Sequence, residues 1–180
     1  MRTVTLIRSV AVVTLSLGLS AQEPGAQGTQ GERTAAGKSQ AEPGKHVMIS
    51  SADVNWTPGP PALPAGAQVA VFHGDPSKAG ELFTLRAKLP DGYVVPPHWH
   101  PTDEHLVILS GTLMVGTGGK FEETSMHALT TGAYTKMPRR MNHYVKAKGE
   151  TIFQVTAIGP FEVNYVNPQD DPRKKSSTSN

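Results

Sequence analysis

The chain has no cysteine among its 180 residues. That excludes disulfide staples, thiolate metal sites and a lipid-anchored start in which a cysteine carries the acyl chain. Aromatic residues are sparse, at 6%, and no basic patch is interleaved with them, so the composition argues against a nucleic-acid surface. Neither sign of charge dominates, with 17 Lys and Arg against 15 Asp and Glu. Arg2 and Arg8 make up that excess and both lie within the first 20 residues, so the rest of the chain is balanced. No apolar run reaches the roughly 20 residues that a membrane-spanning helix requires. Helical periodicity is also missing, and the Gly-rich stretch Gly74 to Gly80 lacks the Lys-Ser/Thr ending of a phosphate loop.

What is present at the start is an Arg-bearing segment, an apolar stretch from Val10 to Leu19, and small residues at Gly18, Ser20 and Ala21. This pattern predicts a cleaved secretory signal over 1–21 and a secreted or periplasmic protein, with a membrane anchor as the alternative. Residues 22–47 are rich in Gly, Gln, Glu, Ala and Ser without apolar periodicity, the composition of a disordered linker. The charged, serine-rich end, 169–180, reads as a disordered tail. One domain of modest core remains, over 48–168.

Within that domain the expectation is β structure throughout. Met48 to Trp56 reads as an edge strand, closed by the turn-forming run from Thr57 to Gly66. Strands are expected at Gln68 to His73, Leu82 to Leu89, Glu104 to Ser110, Gly111 to Val115, Gly132 to Met137, His143 to Lys148, Thr151 to Ile158 and Phe161 to Val166. In Leu82 to Leu89 the residues Phe83, Leu85, Ala87 and Leu89 alternate with Thr84, Arg86 and Lys88, which gives one core face and one wet face. Short strands with regular Gly and Pro punctuation fit an all-β jelly roll or barrel.

The chemistry concentrates in Gly92 to Gly111, GYVVPPHWHPTDEHLVILSG. His98 and His100 are two residues apart, so on a strand both imidazoles point to one face and Trp99 to the other. Pro101, Thr102 and Asp103 form a turn, and Glu104 starts the returning strand beside the histidines. His143 supplies a third imidazole at the head of a later strand. Three imidazoles and a carboxylate suit one divalent transition metal, with Fe, Mn, Ni, Cu and Zn all open. His105 has the wrong strand parity to join them, and His46, His73 and His127 lie in loop-like surroundings.

The spacing Gly92, His98, His100, Glu104, Gly111 resembles the first signature of the cupin superfamily at every position. Its second signature is matched at Gly132, Pro138 and His143, and is departed from at Arg140, where the family has Gly, and at Ala147, where it has Asn. The resemblance implies a small cupin-type jelly-roll β-barrel with His98, His100, Glu104 and His143 around a metal at its centre. At Arg140 either a non-Gly residue occupies positive φ, costing on the order of 1 kcal/mol, or the turn type differs; the expectation is a different turn.

Four protein ligands around a six-coordinate metal leave positions open, as in catalytic rather than structural sites. The first reading is an exported metal-dependent enzyme, oxygenase-like, acting on a small apolar or phenolic molecule. The second is a non-catalytic module that binds or senses a small ligand or a metal, and a metal-free structural barrel is the third. Phe83, Leu85, Leu106, Ile108, Met137, Phe153 and Gln154 are the candidate pocket lining. A second acid or a tyrosine reaching the metal would favour the enzyme, and a purely aliphatic cavity would favour binding. His105, Val107 and Leu109 fall on the outer face, whose apolar members call for cover by the N-terminal strand or by a second subunit in a homodimer. No nucleic-acid partner is expected, nor any membrane contact once the signal is removed.

Overall fold

The structure, a computed structural model, describes residue 44 and residues 46–175. The expected signal over 1–21 and all but the end of the expected linker lie outside the described residues, as does 176–180. The chain divides into two units, Met1–Lys45 and His46–Asn180, and the fold described below belongs to the second. No helix among the described residues is long and apolar enough to cross a membrane.

Among the described residues, nine strands form one antiparallel system: β1 (Thr57–Pro58), β2 (Gln68–His73), β3 (Leu82–Leu89), β4 (Val94–Trp99), β5 (Glu104–Thr117), β6 (His127–Thr130), β7 (Tyr134–Met137), β8 (His143–Ile158) and β9 (Asn164–Tyr165). The sheet runs β1-β2-β3-β8-β4-β9, and β5 joins it by pairing with β8 while also holding β6 and β7. The sheet curls on itself into the all-β cupin-type jelly-roll barrel that the sequence predicts.

Strands β5 and β8 are its spine, paired from Glu104 opposite Ala157 to Thr117 opposite His143. Each was expected as two strands. They are continuous, and the breaks in apolar pattern mark bends: register shifts on either side of Ser110, with Gly111 at φ 77° and Gly149 at φ 72°. A bulge of this kind interrupts the ladder and turns the strand without ending it. The half of β8 beyond the bend, Thr151 onward, pairs with β3, and the half before it, up to Lys146, pairs with β4. One strand thereby serves both faces of the barrel.

The core is the inward set of these strands, with Phe83, Leu89, Leu106, Ile108, Leu113 and Met137 almost fully buried. The outward side of β3 is only half wet. Arg86 lies over the Phe72 ring at 4.3 Å and Lys88 over the Trp56 ring at 4.5 Å, so the aliphatic stems and charges cover aromatic surface. Thr84 and Thr156 hydroxyls meet across the strand pair, and Arg86 donates to Gln154.

Four sequence expectations change. Met48 to Trp56 is no strand; it holds a single 3-10 turn, Ser51–Asp53, because alternation is missing and its apolar residues Met48 and Ile49 stay exposed. His127 lies on exposed strand β6 and His73 at the end of strand β2, rather than in loops. Phe161 to Val166 is strand only at β9. Beyond residue 168 the composition-based tail is partly ordered: Pro168–Asp170 forms a 3-10 turn and Pro172–Lys175 one helical turn. The buried Asp171 carboxylate fixes that segment by accepting from Nε and Nη2 of Arg173, each at 2.8 Å.

The bend at Gly111 gives a direct test. A Cβ there would collide with the Glu150 carbonyl oxygen, at a φ that side chains avoid. Gly111→Ala should lower stability by on the order of 1–3 kcal/mol, read from the urea midpoint at unchanged slope. An unchanged midpoint would show that the bend does not need glycine.

Candidate metal centre

Strand β4 delivers His98, and His100 follows one residue past its end. Strand β8 begins at His143, which sits opposite His98 in the ladder, and β5 begins at Glu104. Three strand ends therefore converge, and all four side chains are buried, at 2–6% relative exposure. One nitrogen from each of the three imidazoles lies within 4.8 Å of the others.

Backbone carbonyls decide which nitrogen is available. Nδ1 of His98 lies 2.7 Å from the Pro96 oxygen, Nδ1 of His100 lies 2.7 Å from the Glu162 oxygen, and Nδ1 of His143 lies 3.0 Å from the Met141 oxygen. A carbonyl only accepts, so each Nδ1 carries the proton and each Nε2 presents a lone pair. Glu104 Oε2 is 3.7 Å from His100 Nε2 and 3.6 Å from His143 Nε2. Those separations are too long for hydrogen bonds.

Charge follows burial. Desolvation, with added repulsion from its neighbours, holds His98 well below the ordinary imidazole value, drives His100 down to about 3, and lowers His143. Desolvation also pushes Glu104 up to about 7. The His and Glu contacts are thus not ion pairs, since the imidazoles are neutral near pH 7. What faces inward is a set of unprotonated nitrogens beside a carboxyl group, electron-pair donors that a divalent cation satisfies. The residues fit the expected metal, with His98, His100 and His143 as the grouped ligands and Glu104 beside them.

Around this group lies a cavity of about 510 Å³, within the range that holds small molecules. Of the expected lining, Leu85, Leu106, Met137 and Phe153 are on the wall. Phe83 and Ile108 pack in the core instead, and Gln154 faces the other way to pair with Arg86. Sequence reasoning missed Phe161, whose ring stacks on His100, and Glu162, whose carbonyl orients it. Neither has a sequence signal, because a stacking ring and a backbone acceptor belong to no ligand motif. The outward parity of His105 holds: it is exposed, with Nδ1 2.8 Å from the Tyr134 hydroxyl.

Arg140 departs from expectation. The loop keeps the left-handed geometry, with Arg140 at φ 62°, rather than changing turn type. Its N–H donates to the His100 carbonyl at 2.8 Å and that of Arg139 to Asp103 at 2.8 Å. The loop is therefore tied to the turn between two ligand strands, and those bonds offset the local strain.

Comparison with known proteins follows the same lines. The sequence matches the family described as "Domain of unknown function (DUF4437)" over residues 24–164. The fold resembles an acetylacetone dioxygenase from Acinetobacter johnsonii, at 19% identity and TM-score 0.56 over 73% of this chain and 84% of that one. It likewise resembles the polyketide cyclase RemF from Streptomyces resistomycificus, at 17% identity and TM-score 0.56 over 75% and 95% of the two chains. An RmlC-like cupin from Shewanella frigidimarina aligns at 14% identity and TM-score 0.50, over 64% and 91%. At these identities the likeness establishes the cupin fold and leaves the reaction to be argued from the site. No curated protein matches the sequence.

Burial makes the metal-free protein sensitive to acid. Below pH 6.5 the unfolded chain protonates its histidines while the folded site resists, so stability is lost as pH falls. Glu104 acts oppositely: its folded value of about 7 exceeds the ordinary 4.5, so its contribution is present at low pH and fades as pH rises between the two. Three imidazoles outweigh one carboxyl. The thermal midpoint of metal-free protein should fall from pH 6.5 to pH 5, and a rise on acidification would contradict the buried, neutral imidazoles.

Proposed function

The chain belongs to the DUF4437 family of cupin-fold domains, and we propose that it is an exported metal-dependent enzyme, oxygenase-like, acting on a small and largely apolar or phenolic molecule. One observation carries this reading: three buried imidazoles, each with Nδ1 committed to a backbone carbonyl, aim their remaining nitrogens at one point on the wall of a cavity. His98, His100 and His143 would hold one divalent transition metal, with Glu104 as the fourth ligand. When bound, that metal supplies Lewis-acid polarisation of a substrate oxygen and, for iron, manganese, nickel or copper, redox chemistry as well.

The chain's own residues set the conditions for that chemistry. Leu85, Leu106, Met137, Val155 and Phe161 give the cavity an apolar wall that desolvates a small substrate and admits it without demanding charge. Glu104, raised to about 7 by burial when no metal is bound, would give up its proton on joining the three neutral imidazoles around a cation. The fold relatives include an acetylacetone dioxygenase and a polyketide cyclase, which supports chemistry on a small molecule.

A second reading, a binding or sensing module, is favoured by a different observation. Two tyrosine hydroxyls are committed to backbone carbonyls, that of Tyr93 to Pro64 and that of Tyr165, whose ring centroid lies 6.1 Å from that of His98, to Ala62. Burial raises both, Tyr165 to about 12, so neither offers an acid near neutral pH. Export rests on the signal-like residues 1–21, and a homodimer remains the proposed assembly.

Protein recovered from its native host should begin near Ala21 or Gln22 and carry about one transition metal per chain. Alanine at His98, His100 or His143 should remove most of the metal, and His105→Ala should leave it in place. Equal loss in all four variants would overturn the assigned site. Oxygen uptake screened against small phenolic and diketone compounds separates the readings: uptake by the loaded protein supports the enzyme, and ligand binding without turnover supports the module.

A further inference from the structure

Two of the three imidazoles are aimed by their own chain neighbourhood. Nδ1 of His98 donates to the carbonyl of Pro96 and that of His143 to the carbonyl of Met141, in each case two residues back. His100 is held differently. Its Nδ1 donates to the carbonyl of Glu162, 62 residues further along the chain, and its ring lies flat on Phe161, centroids 4.2 Å apart and planes at 13°. We propose that Phe161 and Glu162 form a positioning arm for the third imidazole, which makes the segment following β8 part of the metal centre. This rests on the metal-dependent reading of the site.

The arm is fastened on both sides of the residues that act. Before it, Gly159 donates to the Glu81 carbonyl at 2.8 Å and accepts from Gly80 at 2.9 Å, and Phe161 N–H donates to Pro76 at 2.8 Å. A Cβ on Gly159 would collide with the Lys78 carbonyl oxygen, so the backbones are in close approach there. After it, Tyr165 pairs with His98 in the ladder and donates its hydroxyl to Ala62 at 2.8 Å, and Val166 N–H donates to Pro97 at 2.9 Å.

Phe161 is itself held from the core side by Phe83, which is fully buried, with ring centroids 5.2 Å apart. The phenyl ring thus stands between a fixed core residue and the imidazole, and it also lines the cavity. A single Nδ1 hydrogen bond leaves an imidazole free to rotate about that bond, and the stacked ring removes this freedom. Phe161 and Glu162 are positioning residues: they act on the metal through His100.

The test uses the full chain, stripped of metal and reloaded with Co(II), with affinity measured by chelator competition and coordination read from the visible absorption of the bound ion. Phe161→Ala should weaken Co(II) binding by about 10- to 100-fold, the usual effect of losing an orienting partner, and should change the spectrum. Phe161→Tyr keeps the stacked ring and should restore both. Phe161→Leu keeps apolar bulk without a flat face and should follow the alanine variant, which also covers a failure of Phe161→Ala to fold. Parent-like affinity and spectrum in the folded alanine or leucine variant would overturn the inference, whatever the change in thermal midpoint. Failure of the parent chain to take up Co(II) would instead overturn the metal-centre reading, and the arm with it.

Discussion

Burying four polar side chains is the constraint on which the rest of this structure depends. An unpaired buried donor costs about 1–3 kcal/mol, so three imidazole N–H groups in a desolvated pocket need three acceptors. Pro96, Met141 and Glu162 provide them from the backbone. Using a carbonyl rather than a carboxylate has a chemical consequence, since the ring stays neutral and its other nitrogen stays basic. The same burial that depresses the imidazoles raises Glu104 to about 7. The donor set is therefore a product of burial, and burial is a product of the barrel.

The barrel achieves this by bringing strand ends together. β4 and β8 start or finish at the site, and their pairing sets His98 opposite His143 without any loop having to place either. The long pairing of β5 with β8 then fixes Glu104 at one end of the same ladder system, and the bends at Gly111 and Gly149 let those two strands close around the core. Loops contribute by restraint. The Arg139 and Arg140 turn grips both Asp103 and the His100 carbonyl, holding the corner between two ligand strands.

Much of this was legible from residue spacing. His98 and His100 share a face because strand parity is two, and the same rule placed His105 outside, where the structure has it. The ligand motifs survive reading without coordinates because they lie on regular strands. The less legible parts are irregular. Gly111 and Gly149 read as punctuation between strands, because a bulge and a turn use the same residue. Arg140 read as evidence for another turn, because the hydrogen bonds that hold it at positive φ come from distant residues. Phe161 and Glu162 left no trace in the sequence, since their contribution is a ring face and a carbonyl delivered across 62 residues. The ordered segment past residue 168 was hidden by composition, its anchor being one Asp171–Arg173 pair in a charged stretch.

In the proposed metal-bound protein, three neutral imidazoles converge on one ion. X-ray absorption at the edge of the metal carried by the purified protein should show a first shell of nitrogen and oxygen with the multiple-scattering pattern of several imidazoles. A shell of oxygen alone, or one showing a single imidazole, would contradict this convergence.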